Sequence, residues 1–148
     1  MDAGDWDRVD AGLLWDIFGI HSQIGALLRS EYGGLKGYEI AMLLMLCTSK
    51  EPPSIGAIAE ALGVTSQYAS SVSTSLVERG YAEFNWGESD RRCKLVHLTD
   101  CGRSVCRERF LELGGADGPF SLRYSEKDLD ALSALRRQVG KAAEAFGA

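Results

Sequence analysis

The sequence lacks the features that mark membrane-spanning and exported proteins. No hydrophobic run can cross a bilayer, because the apolar stretch at residues 40–47 is far shorter than the roughly 20 residues that a membrane helix requires. The N-terminal residues are acidic, which does not support a signal or transit peptide. No internal repeat or low-complexity tract occurs. These absences predict a cytoplasmic protein with no membrane partner.

Catalytic signatures are also missing. The chain has 2 histidines, and it contains no glycine-rich phosphate loop, no H-E-x-x-H metal motif and no nucleophile elbow. We therefore expect no enzyme activity, no cofactor and no metal.

The four cysteines allow a metal or a redox interpretation. Cys93 and His97 would lie about 13 Å apart on a strand, which is too far for two ligands of one zinc ion. Cys101 and Cys106 are five residues apart on a helix and point to different sides. All four cysteines, Cys47 included, are expected to be reduced thiols that act as small apolar residues. A redox-sensing thiol remains open, with Cys93 and Cys101 favoured because they flank charged residues.

The charge distribution narrows the class of partner. The 148 residues fit one domain and carry a net charge of -5, which does not favour a general polyanion binder. The excess negative charge lies outside residues 54–110, where seven basic and seven acidic residues balance. Any phosphate contact must come from a few placed cations. The candidates are Arg79, Arg91, Arg92, Lys94 and Arg103.

Residues 54–65 carry the pattern of a helix followed by a capped turn. Ser54 can cap the start of this helix, and Gly63 follows its end, where a left-handed residue is favoured. Thr65 can cap the helix that follows. A short turn with a cap on each side is typical of a helix-turn-helix. The apolar positions that recur on one face of the first helix are Ile55, Ile58, Ala59 and Leu62.

The second helix, about residues 66–79, combines an apolar face with a serine-rich one. Ala69, Val72 and Leu76 are predicted to face inward. Helix propensity does not favour so many serines, since their hydroxyls compete for backbone hydrogen bonds. Close approach to phosphates and base edges would favour them, and a solvated helix face is an equal alternative. The residues predicted to face outward, without a carboxylate, are Ser66, Gln67, Ser70, Ser71, Thr74 and Ser75.

A predicted hairpin follows this second helix. Residues 81–86 and 91–98 have strand character, and residues 87–90 form a turn-rich tip. With this hairpin the chain resembles the MarR family of winged-helix transcription regulators. The resemblance is carried by LGV at 62–64, LVERGY at 76–81, DRR at 90–92 and VHLTDCG at 96–102.

The resemblance extends over nearly the whole chain and implies its architecture. The fold would be mainly α-helical with a small β-wing, in a single domain of residues 1–148. Residues 36–99 would form the winged helix-turn-helix DNA-binding region, and residues 1–32 and 100–148 would supply N- and C-terminal dimerisation helices. Residues 49–53, with two prolines, would correspond to the short strand that pairs with the wing.

The resemblance also implies a homodimer that binds double-stranded DNA at a pseudo-palindromic operator. The second helix would enter the major groove and the wing the adjacent minor groove. Arg92 would be the wing-tip residue, and Asp90 would hold its guanidinium by a bidentate pair. The implied DNA-binding residues are Ser66, Gln67, Tyr68, Ser70, Ser71, Ser75, Asp90, Arg91, Arg92 and Lys94.

One departure from the family pattern affects base recognition. Many members have arginine where this chain has Ser71 and Ser75, and arginine makes the commonest specific contact to guanine. Direct recognition would then depend on Gln67, which suits adenine, and on serine and tyrosine contacts. We expect weaker or more A·T-tolerant binding, with a larger contribution from the wing.

The terminal regions are predicted to form helices with exposed apolar faces. Residues 12–29 have apolar side chains over a wide arc, which predicts a helix deep in a core or one that a partner subunit covers. Residues 126–146 carry an apolar stripe behind a capping box at Ser125 and Asp128. Family members commonly bind a small aromatic molecule between such helices and the winged region. The candidate pocket residues here are Trp15, Phe18, His21 and Tyr38.

Three functions remain open from the sequence. The favoured one is a transcriptional repressor that a small aromatic ligand releases from its operator. The second is a thiol-switched regulator of the same fold. The third is a winged-helix dimer that has lost tight DNA binding and binds proteins, for which the acidic balance and the missing arginines are the reasons.

Overall fold

The computed structural model describes residues 11–89, 92–114 and 124–147, and of residues 11–14 and 113 it describes the backbone only. The chain divides into two compact units, one ending at Glu108 and the other beginning at Arg109. Six helices and four strands occur within the described ranges. They are α1 (Ala11–Arg29), β1 (Glu31–Tyr32), β2 (Leu35–Lys36), α2 (Gly37–Thr48), α3 (Ile55–Leu62), α4 (Ser66–Glu78), β3 (Ala82–Trp86), β4 (Lys94–Leu98), α5 (Asp100–Gly114) and α6 (Glu126–Ala145).

The core of the first unit lies where α2, α3 and α4 meet the wing. Met42 and Leu43 of α2, Ile58 of α3, Leu76 of α4 and Val96 of β4 are almost completely buried. Ala69 and Val72 are buried beside them, so the inward face predicted for the second helix is confirmed. The mainly helical fold class with a small wing is also confirmed.

The wing is an antiparallel hairpin with a short third partner. β3 pairs with β4 in a register that runs from Ala82 opposite Leu98 to Trp86 opposite Lys94. The residues before α3 add to this sheet, because Ser54 bridges Leu95 and the Pro53 carbonyl accepts a 3.0 Å hydrogen bond from the Val96 amide. The connector at residues 49–53 therefore ends beside the wing, as predicted.

A second, smaller hairpin joins α1 to α2. β1 and β2 pair across Gly33 and Gly34, whose φ angles are 58° and 78°. Two consecutive residues with positive φ form the turn that a two-residue hairpin favours, and glycine adopts it without strain. The sequence analysis did not predict this hairpin.

The helix α1 has a largely uncovered apolar face. Phe18 is 68% exposed, and Trp15, Ile20, Ile24 and Leu27 are also exposed. This rules out burial of α1 deep in the core of its own unit, which was one of the two alternatives. Within the described ranges, no helix has the length and apolar content needed to cross a membrane.

In the second unit, α6 begins at a capping box, as predicted. The Ser125 hydroxyl accepts from the Asp128 amide at 3.3 Å, and the Ser125 amide donates to the Asp128 carboxylate at 2.8 Å. Hydrogen bonds from Ser125 lower the pKa of Asp128. The apolar stripe of this helix leaves Leu129, Leu132 and Val139 exposed.

Candidate nucleic-acid interface

Two side-chain caps define the helix-turn-helix formed by α3 and α4. The Ser54 hydroxyl accepts a 3.1 Å hydrogen bond from the Ala57 amide, and the Thr65 hydroxyl accepts one of 3.1 Å from the Tyr68 amide. Gly63 ends α3 with φ 64°, in the left-handed region. All three predicted end signals are therefore confirmed, and they fix a turn of only a few residues between the helices.

The exposed face of α4 carries hydroxyl and amide groups. Gln67, Ser71 and Thr74 are exposed and lie at helical spacing on one side, so they form a continuous polar stripe. Ser66 and Tyr68 are exposed at the start of the helix, and Ser70 is half-buried. Thr74, which the sequence predicted to face outward but not to bind DNA, belongs to this stripe. The stripe can donate and accept hydrogen bonds without adding charge.

Ser75 does not belong to this outward surface. Its hydroxyl donates a 2.5 Å hydrogen bond to the carboxylate of Glu39 on α2, and Glu39 is 2% exposed. The prediction that Ser75 faces outward is therefore wrong, because a residue from a distant helix supplies an acceptor inside the unit. Whether the predicted DNA-binding residues contact DNA stays a prediction.

Glu39 is the residue at this site that the sequence analysis missed. The same carboxylate accepts a 2.8 Å hydrogen bond from the Lys36 amide and lies 3.5 Å from the Arg79 guanidinium. A buried carboxylate is costly unless such partners satisfy it. The sequence did contain a signal for Glu39, because it is a single acidic residue next to the apolar stretch at 40–47. An acidic residue in a buried helix needs a partner.

Arg79 is already engaged on the protein. Its guanidinium Nε faces Glu39, and its side chain is 39% exposed. It was one of the cations expected to reach a phosphate. The ion pair directs part of its charge toward α2.

The wing presents cations near its tip. Arg92 is exposed, and the Lys94 ammonium lies 3.9 Å from the centre of the Phe84 ring. Trp86, opposite Lys94, is 61% exposed. Asp90 and Arg91 lie outside the described residues. The predicted bidentate pair between Asp90 and Arg92 therefore lies outside them as well.

The four residues predicted to line a ligand pocket separate into two groups. Trp15, Phe18 and His21 lie exposed along α1. Tyr38, at the start of α2, is half-buried and makes an edge-to-face contact with Tyr68 of α4, with ring centres 5.2 Å apart at 80°. A residue predicted for the ligand pocket and one predicted for DNA thus touch each other.

A cavity of about 180 Å³ lies elsewhere in the first unit. It is bounded by the connector before α3, the end of α2, β4 and the first turn of α5, and it contains none of the four predicted pocket residues. Its lining includes Cys47, Lys50, His97 and Arg103.

The thiols differ in environment. Cys106 is buried, and its thiol donates a 3.5 Å hydrogen bond to the Leu43 carbonyl. Burial and the neighbouring Cys47 raise its pKa to about 12, so it remains a protonated thiol. Cys93 is half-buried and Cys101 is exposed. Among the described residues, no cluster of three His, Cys, Asp or Glu side chains could hold a metal ion.

Comparisons with known proteins agree with this geometry. The model of the MarR family matches residues 39–94. No curated protein sequence matches the chain. The crystal structure of CouR from Rhodococcus jostii RHA1, bound to p-coumaroyl-CoA, is 21% identical with a TM-score of 0.67, covering 89% of this chain and 92% of that one.

Two further solved structures share the fold. The transcriptional regulator BldR from Sulfolobus solfataricus is 20% identical with a TM-score of 0.60, covering 93% of this chain and 99% of that one. FabT from Streptococcus pneumoniae, in complex with DNA, is 20% identical with a TM-score of 0.57, covering 95% and 99%. The model of the MarR family thus matches the segment that holds α3, α4 and most of the wing, and the solved structures share the winged-helix fold of the chain.

Proposed function

We propose that the protein is a homodimeric, sequence-specific DNA-binding transcriptional regulator without enzyme activity. The observation that carries this proposal is the capped α3–α4 pair. It presents an uncharged hydrogen-bonding stripe on α4 in the same compact unit as a wing with exposed Arg92. Such a helix suits the major groove, and a cationic hairpin suits phosphates and the minor groove. The structure of FabT in complex with DNA supports the proposal by analogy.

Dimerisation is the second part of the proposal. Large apolar side chains are exposed on α1, at Trp15 and Phe18, and at α6, where Leu132 lies on the helix and Phe146 follows its end. Exposed apolar surface of this kind marks interaction sites on folded proteins. A symmetric pair would present two α4 helices to two half-sites, which requires a pseudo-palindromic operator.

Repression that a ligand relieves is the third part. CouR, which shares this fold, was solved with p-coumaroyl-CoA bound, and this supports a small aromatic effector. The effector and the operator would be linked by one coupling free energy, so each would weaken the binding of the other by the same factor. The proposal includes a cytoplasmic location, because the operator lies there.

The test is DNA binding measured by fluorescence anisotropy at increasing salt, with a promoter fragment from the protein's own gene neighbourhood. We expect salt-dependent binding that candidate aromatic acids weaken. Arg92→Ala should reduce affinity and lower the salt slope by about two for a dimer, one for each subunit. Arg107→Ala, which removes an exposed arginine from α5, is the charge-matched control and should change little.

Two outcomes would contradict parts of this proposal. Wild-type protein that binds no promoter fragment at low salt would instead support a dimer that binds proteins. Equal behaviour of the Arg92→Ala and Arg107→Ala variants would remove the wing from DNA recognition.

A further inference from the structure

Two adjacent residues at the start of α2 hold one edge of α4. Tyr38 contacts the Tyr68 ring, and Glu39 accepts from the Ser75 hydroxyl and pairs with Arg79. Tyr68, Ser75 and Arg79 are separated by seven and four residues, so they lie on one side of α4. The Tyr38–Tyr68 contact and the Glu39–Ser75 contact are about 10 Å apart along the axis of α4.

This edge lies between the buried face of α4 and its polar stripe. Apolar packing of Ala69, Val72 and Leu76 against the core is non-directional, so by itself it tolerates small rotations of the helix. Hydrogen bonds to an ionised carboxylate are short and directional. The Glu39 contacts and the Tyr38–Tyr68 ring contact restrain α4 at two separate points, and together they fix both its rotation and its position along its axis.

A buried carboxylate is a poor choice for stability alone. Replacing buried ionic groups with apolar residues of similar size is often neutral or stabilising, and the best-attested advantage of such groups is that they fix register. Glu39 also caps its own helix through the Lys36 amide, so its carboxylate is held in place from both sides. We propose that the first turn of α2 is a two-point clamp that sets the orientation of α4, with Glu39 as its positioning residue.

The clamp holds α4 in place, and the use of DNA binding to measure it rests on the proposed function. The test variant is Glu39→Gln, which keeps the size of the side chain and removes its charge. The matched control is Glu78→Gln, which removes the same charge from an exposed carboxylate in the last turn of α4. Both variants are first confirmed to be folded by circular dichroism at the assay temperature.

We expect the operator affinity of Glu39→Gln to be about tenfold below that of Glu78→Gln, a difference of about 1.4 kcal/mol. Both variants lose one negative charge and keep every cation, so a loss confined to operator DNA identifies the clamp rather than a change in net charge. Ser75→Ala should weaken operator binding in the wild-type background and add little in the Glu39→Gln background. Additive losses would mean that Ser75 acts by itself rather than through Glu39.

Hydrogen exchange of the α4 amides provides a readout that needs no DNA. The clamp predicts faster exchange at residues 66–78 in Glu39→Gln than in Glu78→Gln. If wild-type protein binds DNA, equal operator affinities of these two variants overturn the clamp. If it binds none, the proposed function fails and the exchange comparison alone decides the clamp. Should Glu39→Gln fail to fold, Ser75→Ala carries the test against Ser104→Ala, whose serine is exposed on α5 and is not among the predicted DNA-binding residues.

Discussion

The junction between the wing and α5 makes a sharp prediction for Gly102→Ala. Gly102 is buried, and a methyl group added to it would overlap the Tyr81 carbonyl oxygen and lie 2.9 Å from a methyl carbon of Leu98. The Tyr81 carbonyl is backbone, so it cannot rotate away as a side chain could. This glycine belongs to the VHLTDCG motif, and its close approach explains why the motif ends in glycine.

The expected cost follows from the contacts around this junction. The Tyr81 carbonyl accepts from the Thr99 amide at 3.1 Å, and the Thr99 hydroxyl donates to the Gly80 carbonyl at 2.7 Å. Overpacking costs about 1–3 kcal/mol, and disturbing two hydrogen bonds adds about 1 kcal/mol each. Alanine gains about 1 kcal/mol over glycine in a helix. We therefore expect a net loss of about 2–4 kcal/mol from a total of roughly 5–15 kcal/mol.

Urea denaturation followed by circular dichroism measures this loss as a lower transition midpoint at unchanged slope. The control is Gly140→Ala within α6, where no atom lies within 4 Å of the added methyl group. The same chemical change should stabilise the protein there, by about 0.5–1 kcal/mol. A loss below about 1 kcal/mol for Gly102→Ala would refute the argument that α5 needs this close approach to the wing.

The remaining predictions concern pH and assembly. Burial raises the pKa of Cys106 from an ordinary value of 9.0 to about 12, so above about pH 9 only the unfolded thiol ionises. The free energy of unfolding should then fall by up to about 1.4 kcal/mol per pH unit, an effect that Cys106→Ala abolishes and Cys101→Ala retains. Phe18→Asp on α1 should produce monomers in sedimentation velocity, whereas Gln23→Asp, with the same charge on the same helix, should not. If Phe18→Asp dimerises as tightly as the wild-type protein, this part of α1 is excluded from the dimer interface.

The sequence predicted those parts of the structure that local signals determine. Ser54, Gly63 and Thr65 act within four residues of the groups they bind, so the ends of α3 and the start of α4 were predictable. The inward face of α4 was predictable from its apolar periodicity. The small hairpin before α2 was missed because its strands have only two residues each and carry no alternating pattern.

Contacts between distant residues were not predictable in the same way. Ser75 and Glu39 are 36 positions apart, and nothing in the spacing of α4 distinguishes Ser75 from its exposed neighbours. Periodicity identifies which residues face away from the core, but not which of those another helix covers. The same limit applies to Tyr38 and Tyr68, which were assigned to two different sites and contact each other.

The serine-rich face of α4 and the clamp on its edge are physically connected. An arginine side chain is long and has several rotatable bonds, so it can reach a base edge from more than one position of the helix. A serine hydroxyl lies close to the backbone, and hydrogen bonds weaken steeply once geometry departs from about 3 Å. Under the proposed function, α4 would recognise bases with Ser71 and Gln67 and would therefore tolerate less displacement than a helix that uses arginine. Fixed contacts from Tyr38 and Glu39 supply the restraint that such short side chains require.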